Sequence, residues 1–179
     1  MADPQQRPSV KKSSSSFTTL TPSLAFQLAA PHTWAAALTP VLLSYVYSGL
    51  TYSGNLNFVL ALILLAISVL MQSAVNVLND YFDYKKGTDS VDNSSEDAFD
   101  AVLVYHHINP RSVLIYAILL LVLAGVLGIY LVFLTGWPLL VIGLIGALAV
   151  VLYSAGNTPI SYLPIGEVVS GVVMGGLIT

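Results

Sequence analysis

The sequence predicts an all-α protein, a polytopic bundle of transmembrane helices, and its composition and charge distribution are the basis for this prediction. Only 8% of the 179 residues are charged, whereas roughly 25% are charged in an ordinary soluble domain. Hydrophobic residues make up 56% of the chain, and the mean hydropathy is +0.81. Because so few charges do not cover the surface of a water-soluble globule, the composition argues against a soluble enzyme and against a nucleic-acid-binding protein.

The few charged residues are concentrated near the N-terminus and in one internal segment. Seven of the nine acidic residues lie between Asp80 and Asp100. No Asp, Glu, Lys or Arg occurs from Ser13 to Asn79 or from Ser112 to Gly166. Apolar blocks therefore surround one charged segment, and we expect the function to reside there. The chain has no cysteine, which excludes disulfides, thiolate metal ligands and a cysteine nucleophile.

The N-terminal region combines a polar tail with the first apolar block. Residues 1–23 are rich in Ser and Pro, which predicts a flexible tail. The first block, about Leu24–Leu50, contains Pro31 and Pro40. Pro31 suits the first position of a helix, and Pro40 predicts a kink of the kind that membrane helices tolerate.

The remaining blocks predict four full membrane spans plus a partial fifth. About 20 apolar residues suffice to cross the hydrocarbon core, and three further blocks reach or approach that length: Asn57–Asn79, about Val113–Thr135 and about Pro138–Ser154. A shorter fifth block begins near Pro164. We expect residues 24–179 to form the N-terminal part of a transmembrane domain, with residues 84–111 as a loop.

The positions of the basic residues predict the orientation of the chain. All six Lys and Arg lie in the tail or in the 84–111 segment. The positive-inside rule places both regions in the cytoplasm. The sequence therefore predicts a multi-pass protein of the cell (plasma) membrane with a cytoplasmic N-terminus.

A stripe of polar side chains occupies the end of the second apolar block. At 100° per residue, Asn79, Asp80 and Asp83 fall within about 60° of Asn76 around a helix. Gly87 follows, at a position typical of a helix stop. Oxygen ligands on one stripe suit Mg²⁺, which is commonly held by one or two carboxylates together with phosphate oxygens and water.

Cationic side chains lie close to this stripe in the sequence. Lys85, Lys86 and Arg111 have the charge needed to neutralise part of a diphosphate. For the acids from Asp92 to Asp100, a solvated cytoplasmic loop is the simpler interpretation. Polar residues in line on a membrane helix are costly unless they face a cavity, so the stripe from Asn76 to Asp83 indicates a site.

The polar stripe allows two interpretations. One is the site of a metal-dependent enzyme, and the alternative is half of a transporter or a non-catalytic membrane subunit. A transporter typically places its functional polar groups near the bilayer midplane and often contains a repeat. Here the polar groups cluster at one membrane face, and the apolar blocks show no repeat. This arrangement favours the enzyme.

The motif Asn79-Asp80-x-x-Asp83, preceded by Asn76, resembles the first aspartate-rich motif of the UbiA superfamily of intramembrane prenyltransferases. Its extended form, Asn79 to Asp89, is most similar to the 1,4-dihydroxy-2-naphthoate branch of menaquinone synthesis. Three further segments resemble that family in the right order: Ala30–Trp34, Asn109–Ser112 and Tyr153–Tyr162.

The resemblance implies Mg²⁺-dependent transfer of a prenyl group from a polyprenyl diphosphate to an aromatic acceptor such as 1,4-dihydroxy-2-naphthoate. Asp80 and Asp83 would be the catalytic metal ligands, with Asn76 and Asp89 also contributing to the metal. The implied substrate-binding residues are Asn76, Asn79, Lys85, Arg111, Tyr153 and Ser154. Family members carry a second aspartate-rich motif that this sequence lacks, so we expect a chain whose C-terminal half is missing and which is inactive alone.

Overall fold

The computed structural model describes residues 17–51, 57–87, 101–154, 160 and 165–172. Within these residues every named secondary-structure element is a helix, which confirms the all-α prediction. A short 3₁₀ turn covers Pro31–Thr33, and the α-helices are α1 Pro22–Leu28, α2 Trp34–Thr51, α3 Phe58–Lys86, α4 Val102–Tyr105, α5 Pro110–Thr135, α6 Trp137–Ser154 and α7 Gly166–Val172.

The first apolar block forms two helices rather than one continuous span. α1 ends at Leu28, with Ala29 as its C-cap, and Ala30 then adopts a left-handed conformation with φ of 47°. Pro31 then begins the 3₁₀ turn that leads into α2. Pro40 lies inside α2 and is buried, and the kink at this position stays a prediction.

The central helix α3 has a clear cap at each end. The Oδ1 atom of Asn57 accepts from the main-chain N–H groups of Val59 and Leu60, over 3.0 and 3.2 Å. Gly87 ends the helix with φ of 73°, which confirms the predicted stop. Because α3 continues through Lys86, the first residues of the predicted 84–111 loop lie in its last turn.

α3 packs against α2, α5 and α6 and carries the principal apolar core at its Asp80 end. This core includes buried side chains from α1, α3, α4, α5 and the loop between α4 and α5, namely Leu24, Leu28, Val77, Leu78, Val102, Leu103, Ile108, Val113 and Ala117. The part of the predicted 84–111 loop that the structure describes is therefore partly a buried helix, α4, because its apolar residues complete this core.

Among the described residues, two helices, α3 and α5, are long and apolar enough to cross a membrane, and residues Trp137–Tyr153 of α6 form a shorter apolar helix. Only 22% and 17% of the most apolar windows of α3 and α5 are buried, whereas the core helix of a soluble protein would be mostly buried. Exposed apolar surface of this extent is typical of contact with lipid or with further protein. The number of four full spans stays a prediction, as does the cytoplasmic N-terminus.

Candidate functional site

A cavity of about 630 Å³ lies where the polar stripe of α3 faces the start of α2 and the end of α6. Its apolar lining includes Leu28, Ala36, Val75, Ala149 and Val150, and its polar lining comprises Gln27, His32, Thr33, Gln72, Asn76, Asn79, Asp80, Asp83 and Tyr153. A concave, mostly apolar pocket with a few converging polar groups is the usual form of a small-molecule site.

All four residues of the predicted stripe lie on the wall of this cavity. They share one face of α3 because the spacing from Asn76 to Asp83 follows the helical repeat. The tertiary structure brings Tyr153, at the end of α6, to the same cavity. The cavity thus unites predicted residues that are far apart in the sequence.

The two carboxylates of the stripe have different surroundings. Asp80 is buried, with 6% of its surface exposed, and its Oδ2 atom accepts from the main-chain N–H of Leu103 over 3.4 Å. Asp83 is half-buried, and its Oδ2 atom accepts from the Asn79 side chain over 3.0 Å. Each carboxylate is therefore oriented by a hydrogen bond from a neighbouring residue.

Asn76 joins the stripe to the connection between α1 and α2. Its Nδ2 atom donates to the carbonyl of Ala29 over 3.0 Å and to Thr33 Oγ1 over 2.8 Å. The Gln72 side chain donates to Thr33 Oγ1 over 3.3 Å and to Asn76 Oδ1 over 3.5 Å. The amide nitrogen of Asn76 therefore orients the start of α2, which leaves its predicted role as a metal ligand to the Oδ1 atom.

Sequence reasoning missed four polar residues in the described lining of the cavity, namely Gln27, His32, Thr33 and Gln72. A signal for Gln72 was present, because it lies one helical turn before Asn76 on the same stripe. Thr33 belongs to the segment Ala30–Trp34, which resembles the family, but its contact with the stripe arises only because the 3₁₀ turn packs against α3.

Other predicted residues lie away from the cavity or outside the description. Lys85 and Arg111 are exposed, and neither lines the cavity. Arg111 belongs to the first turn of α5, where its main-chain N–H donates to the Asn109 cap over 3.0 Å. Asp89, Pro164 and residues 1–16 are outside the described residues, as is the side chain of Ser154.

The donor set fits a cation that shares its coordination sphere with a phosphate ligand. Asp80 and Asp83 line the cavity, but the described part of the chain contains no group of three His, Cys, Asp or Glu side chains that would hold a metal by itself. Mg²⁺ is often bound by one or two carboxylates, with substrate phosphates and water completing its coordination. No Lys or Arg is among the described lining residues, so a diphosphate entering without a cation would meet net negative charge.

Comparison with curated proteins finds two relatives that are about twice as long as the chain. This chain is 34% identical over 152 residues to the 1,4-dihydroxy-2-naphthoate octaprenyltransferase of Bacillus subtilis (strain 168). The alignment covers 85% of this chain and 47% of that protein. The chain is 29% identical over 151 residues to UbiA prenyltransferase domain-containing protein 1 of Danio rerio, covering 82% of this chain and 43% of that protein. The chain therefore spans about half the length of these relatives.

No solved structure shows a significant match to the chain. Comparison with protein families gives a match between residues 37–179 and the UbiA prenyltransferase family. The matched region contains α3 with its polar stripe and most of the remaining lining of the cavity. The family match covers most of the chain, and the resemblance carried by Asn79-Asp80-x-x-Asp83 is confirmed: the chain belongs to the UbiA prenyltransferase family.

Proposed function

We propose that this chain carries one carboxylate half-site for Mg²⁺-dependent prenyl transfer from a polyprenyl diphosphate to an aromatic acceptor such as 1,4-dihydroxy-2-naphthoate. Membership of the family and the naphthoate octaprenyltransferase relative support the reaction class. The observation on which the proposal depends is that Asp80 and Asp83 line one cavity together with Asn79. That arrangement suits a cation bridging protein carboxylates and a diphosphate.

The residues of the proposed site divide into metal ligands, a residue that orients one ligand, and a tyrosine of α6. Asp80 and Asp83 hold Mg²⁺, Asn76 Oδ1 and Asp89 are the further proposed ligands, and Asn79 orients Asp83 through its 3.0 Å hydrogen bond. Bound Mg²⁺ supplies electrostatic stabilisation of the charge that develops on the diphosphate leaving group. Tyr153 of α6 lines the same cavity, and we propose that its hydroxyl donates to a diphosphate oxygen.

Lys85 and Arg111 act outside the cavity, and we propose the same for the Ser154 hydroxyl at the end of α6. Both side chains are exposed and neither lines the cavity, so we propose that they attract the anionic substrate rather than contact the reacting atoms. Long-range attraction of this kind raises the rate at which an anionic substrate reaches a site.

Chemistry at the cavity requires one bond to break and one to form. The bond between the first prenyl carbon and the diphosphate oxygen breaks, the electron pair leaves with the diphosphate, and an aromatic carbon of the acceptor bonds to the prenyl carbon. The aromatic carbon then loses its proton to the released diphosphate, which restores the aromatic ring. The apolar lining, including Ala149 and Val150, excludes water that would otherwise capture the allylic carbon.

The membrane setting follows from the same proposal. We propose that the chain lies in the plasma membrane with four full spans plus a partial fifth, and that its N-terminus and cavity face the cytoplasm. A polyprenyl tail then remains in or beside the bilayer while its diphosphate reaches the polar stripe. By the family resemblance, a second set of carboxylates completes the site, so these 179 residues alone are expected to be inactive.

The experiment uses the full-length protein that contains these residues, reconstituted in lipid nanodiscs. Transfer from a series of polyprenyl diphosphates to 1,4-dihydroxy-2-naphthoate is followed by mass spectrometry, with Mg²⁺ and with a chelator. We expect Asp80→Asn and Asp83→Asn each to lower kcat/KM by at least about 100-fold, because each loses part of the leaving-group stabilisation. Glu167→Gln is the matched control, since Glu167 is exposed and does not line the cavity.

Two results would contradict the proposal. One is full Mg²⁺-dependent transfer by the Asp80→Asn, Asp83→Asn double variant. The other is the absence of prenylation of any tested acceptor by the full-length wild-type protein, which would favour the transporter or non-catalytic-subunit interpretation.

A further inference from the structure

The segment Phe17–Leu28 precedes the family match, which begins at residue 37, yet it lies against the carboxylate end of α3. Leu24 and Leu28 of α1 are buried in the same core as Val77 of α3 and Leu103 of α4. The predicted polar tail, residues 1–23, leads directly into these leucines, and their burial holds α1 in the core. The segment is therefore part of the structure around the site.

The start of this segment pairs with the short loop that follows α4. The Thr18 main-chain N–H donates to the carbonyl of His107 over 2.9 Å, and the Asn109 N–H donates to the carbonyl of Thr18 over 3.4 Å. Thr18 and Ile108 thus form an isolated parallel bridge. This bridge and the buried leucines of α1 hold α4 from two sides.

The end of α4 is locked in a specific conformation. The N–H of Ile108 donates to the carbonyl of Leu103, and the N–H of His107 donates to the carbonyl of Val104, both over 3.2 Å. His107 itself has a φ of 48°. These features form a Schellman motif, in which a left-handed residue ends the helix. A left-handed histidine persists only where its surroundings hold it there, and the bridge to Thr18 is one such restraint.

α4 presents one main-chain group to the carboxylate site. The N–H of Leu103 lies in the first turn of α4, where main-chain N–H groups have no acceptor within the helix. Leu103 is fully buried, so its N–H needs an acceptor from the protein. Asp80 Oδ2 supplies that acceptor over 3.4 Å, which connects α4 directly to a cavity-lining carboxylate.

We propose that Phe17–Leu28 is a clamp that holds α4 in place so that the Leu103 N–H orients the Asp80 carboxylate for binding of the cation and diphosphate. Thr18 and Leu103 are then positioning residues, because they act on the reaction only through Asp80. The proposal rests on the proposed function for its metal, whereas its structural part is testable without any metal.

Hydrogen exchange of the full-length protein in nanodiscs tests the structural part. Thr18→Pro removes the N–H that donates to His107, and we expect exchange of the main chain over residues 101–109 to accelerate by at least about tenfold, because local opening becomes easier. Thr19→Pro is the matched control: Thr19 is exposed, and its N–H takes part in none of the described hydrogen bonds. Unchanged exchange in Thr18→Pro would overturn the clamp.

A separate hydrogen-exchange experiment tests the contact between α4 and Asp80. Asp80→Ala removes the acceptor for Leu103, and we expect exchange of the peptide containing Leu103 to accelerate in the absence of any metal. Asp80→Asn keeps an acceptor oxygen, so we expect it to accelerate exchange of this peptide less than Asp80→Ala does. Equal exchange in the wild type and in Asp80→Ala would overturn the assigned contact.

A comparison of two variants of Leu103 tests the positioning role. Both lose the buried side chain, but Leu103→Ala keeps the N–H and Leu103→Pro removes it. We expect the Mn²⁺ dissociation constant, measured by electron paramagnetic resonance with inorganic pyrophosphate present, to be about 10-fold higher in Leu103→Pro than in Leu103→Ala, as is typical when a group that orients a metal ligand is lost. The Mg²⁺ concentration for half-maximal transfer should rise in parallel, with a smaller effect on the KM of the aromatic acceptor.

The two proposals fail in different ways. Equal Mn²⁺ affinity in Leu103→Pro and Leu103→Ala would overturn the positioning role and leave the proposed reaction standing. A wild-type protein that neither binds Mn²⁺ with pyrophosphate nor transfers a prenyl group would contradict the proposed function and the metal part of the clamp proposal. The exchange measurements would still decide whether Phe17–Leu28 holds α4.

Discussion

The Asn79 side chain donates a hydrogen bond to Asp83 Oδ2 over 3.0 Å, one helical turn along α3. The two residues are half-buried on the wall of the cavity. This contact fixes the direction of one carboxylate oxygen, so that the Asp83 carboxylate does not have to be ordered when a cation binds. A prediction about metal affinity follows from it.

We expect Asn79→Ala to raise the Mg²⁺ concentration for half-maximal transfer by roughly 10-fold, because partners that orient metal ligands typically contribute 10–100-fold in affinity. Titration of the full-length enzyme with Mg²⁺ measures this shift. Asn57→Ala on the same helix is the control: it removes the N-terminal cap and lowers stability by about 1 kcal/mol, but should not change the Mg²⁺ requirement. Similar Mg²⁺ curves for Asn79→Ala and the wild type would show that the contact has no role in binding.

The contact between Trp34 and Ser73 predicts how tightly the start of α2 is attached to α3. Trp34 Nε1 donates to Ser73 Oγ over 3.0 Å and to the carbonyl of Ala29 over 3.3 Å. We expect Trp34→Phe to lower the free energy of unfolding by about 1 kcal/mol, the usual contribution of one hydrogen bond. Ser73→Ala should cost less, because the Trp34 N–H keeps Ala29 as its acceptor.

A double-mutant cycle isolates this contact. Thermal unfolding in detergent is measured for the wild type, both single variants and the double variant. A coupling free energy of about 0.5 kcal/mol or more is expected for residues in direct contact. Additive effects of Trp34→Phe and Ser73→Ala would contradict the described packing of α2 on α3.

We expect a Gly→Ala substitution to have opposite effects on stability at two glycines. Gly87 ends α3 with φ of 73°, and no atom lies within 4 Å of a Cβ placed there. Gly87→Ala is therefore expected to cost about 1–2 kcal/mol of stability through backbone strain alone. Gly125 lies within α5, also without an atom near its Cβ position, so Gly125→Ala should stabilise the helix by up to about 1 kcal/mol. Thermal unfolding of the two variants checks the opposite signs; a loss of stability in both would contradict the prediction.

The left-handed conformation of Ala30 leads us to expect that a substitution at this position stabilises the protein. Its φ of 47° and ψ of 66° lie in the left-handed region, which costs a non-glycine residue about 1–2 kcal/mol. We expect Ala30→Gly to raise the melting temperature, since the main-chain conformation is relieved and the Ala30 carbonyl remains available to Thr33, which donates to it over 2.9 Å.

Ala29→Gly is the matched control for Ala30→Gly. Ala29 has a helical φ of −69° and is buried, with 3% of its surface exposed. The same substitution there removes a buried methyl group and adds main-chain freedom, so it should lower the melting temperature. Equal shifts in the two variants would contradict the assigned conformation of Ala30.

Several features of the fold and site were predictable because they depend on local periodicity. The helical repeat places Asn76, Asn79 and Asp80 on one face of α3, and Gly87 marks its end. Helix type and approximate bounds follow in the same way from the uncharged stretches. The bounds of α5 differed by a few residues, since Pro110 is accommodated in the first turn of that helix, where a missing N–H has no cost.

Sequence by itself determined that this protein is helical and very apolar, and that a stripe of amide and carboxylate side chains ends its second apolar block. Only the tertiary structure decided what that stripe meets. Asn76 bonds the carbonyl of Ala29, 47 residues earlier, and Asp80 accepts from Leu103, 23 residues later. These contacts depend on how α1 and α4 pack against α3, and packing is set by apolar burial summed over the whole core rather than by any local pattern.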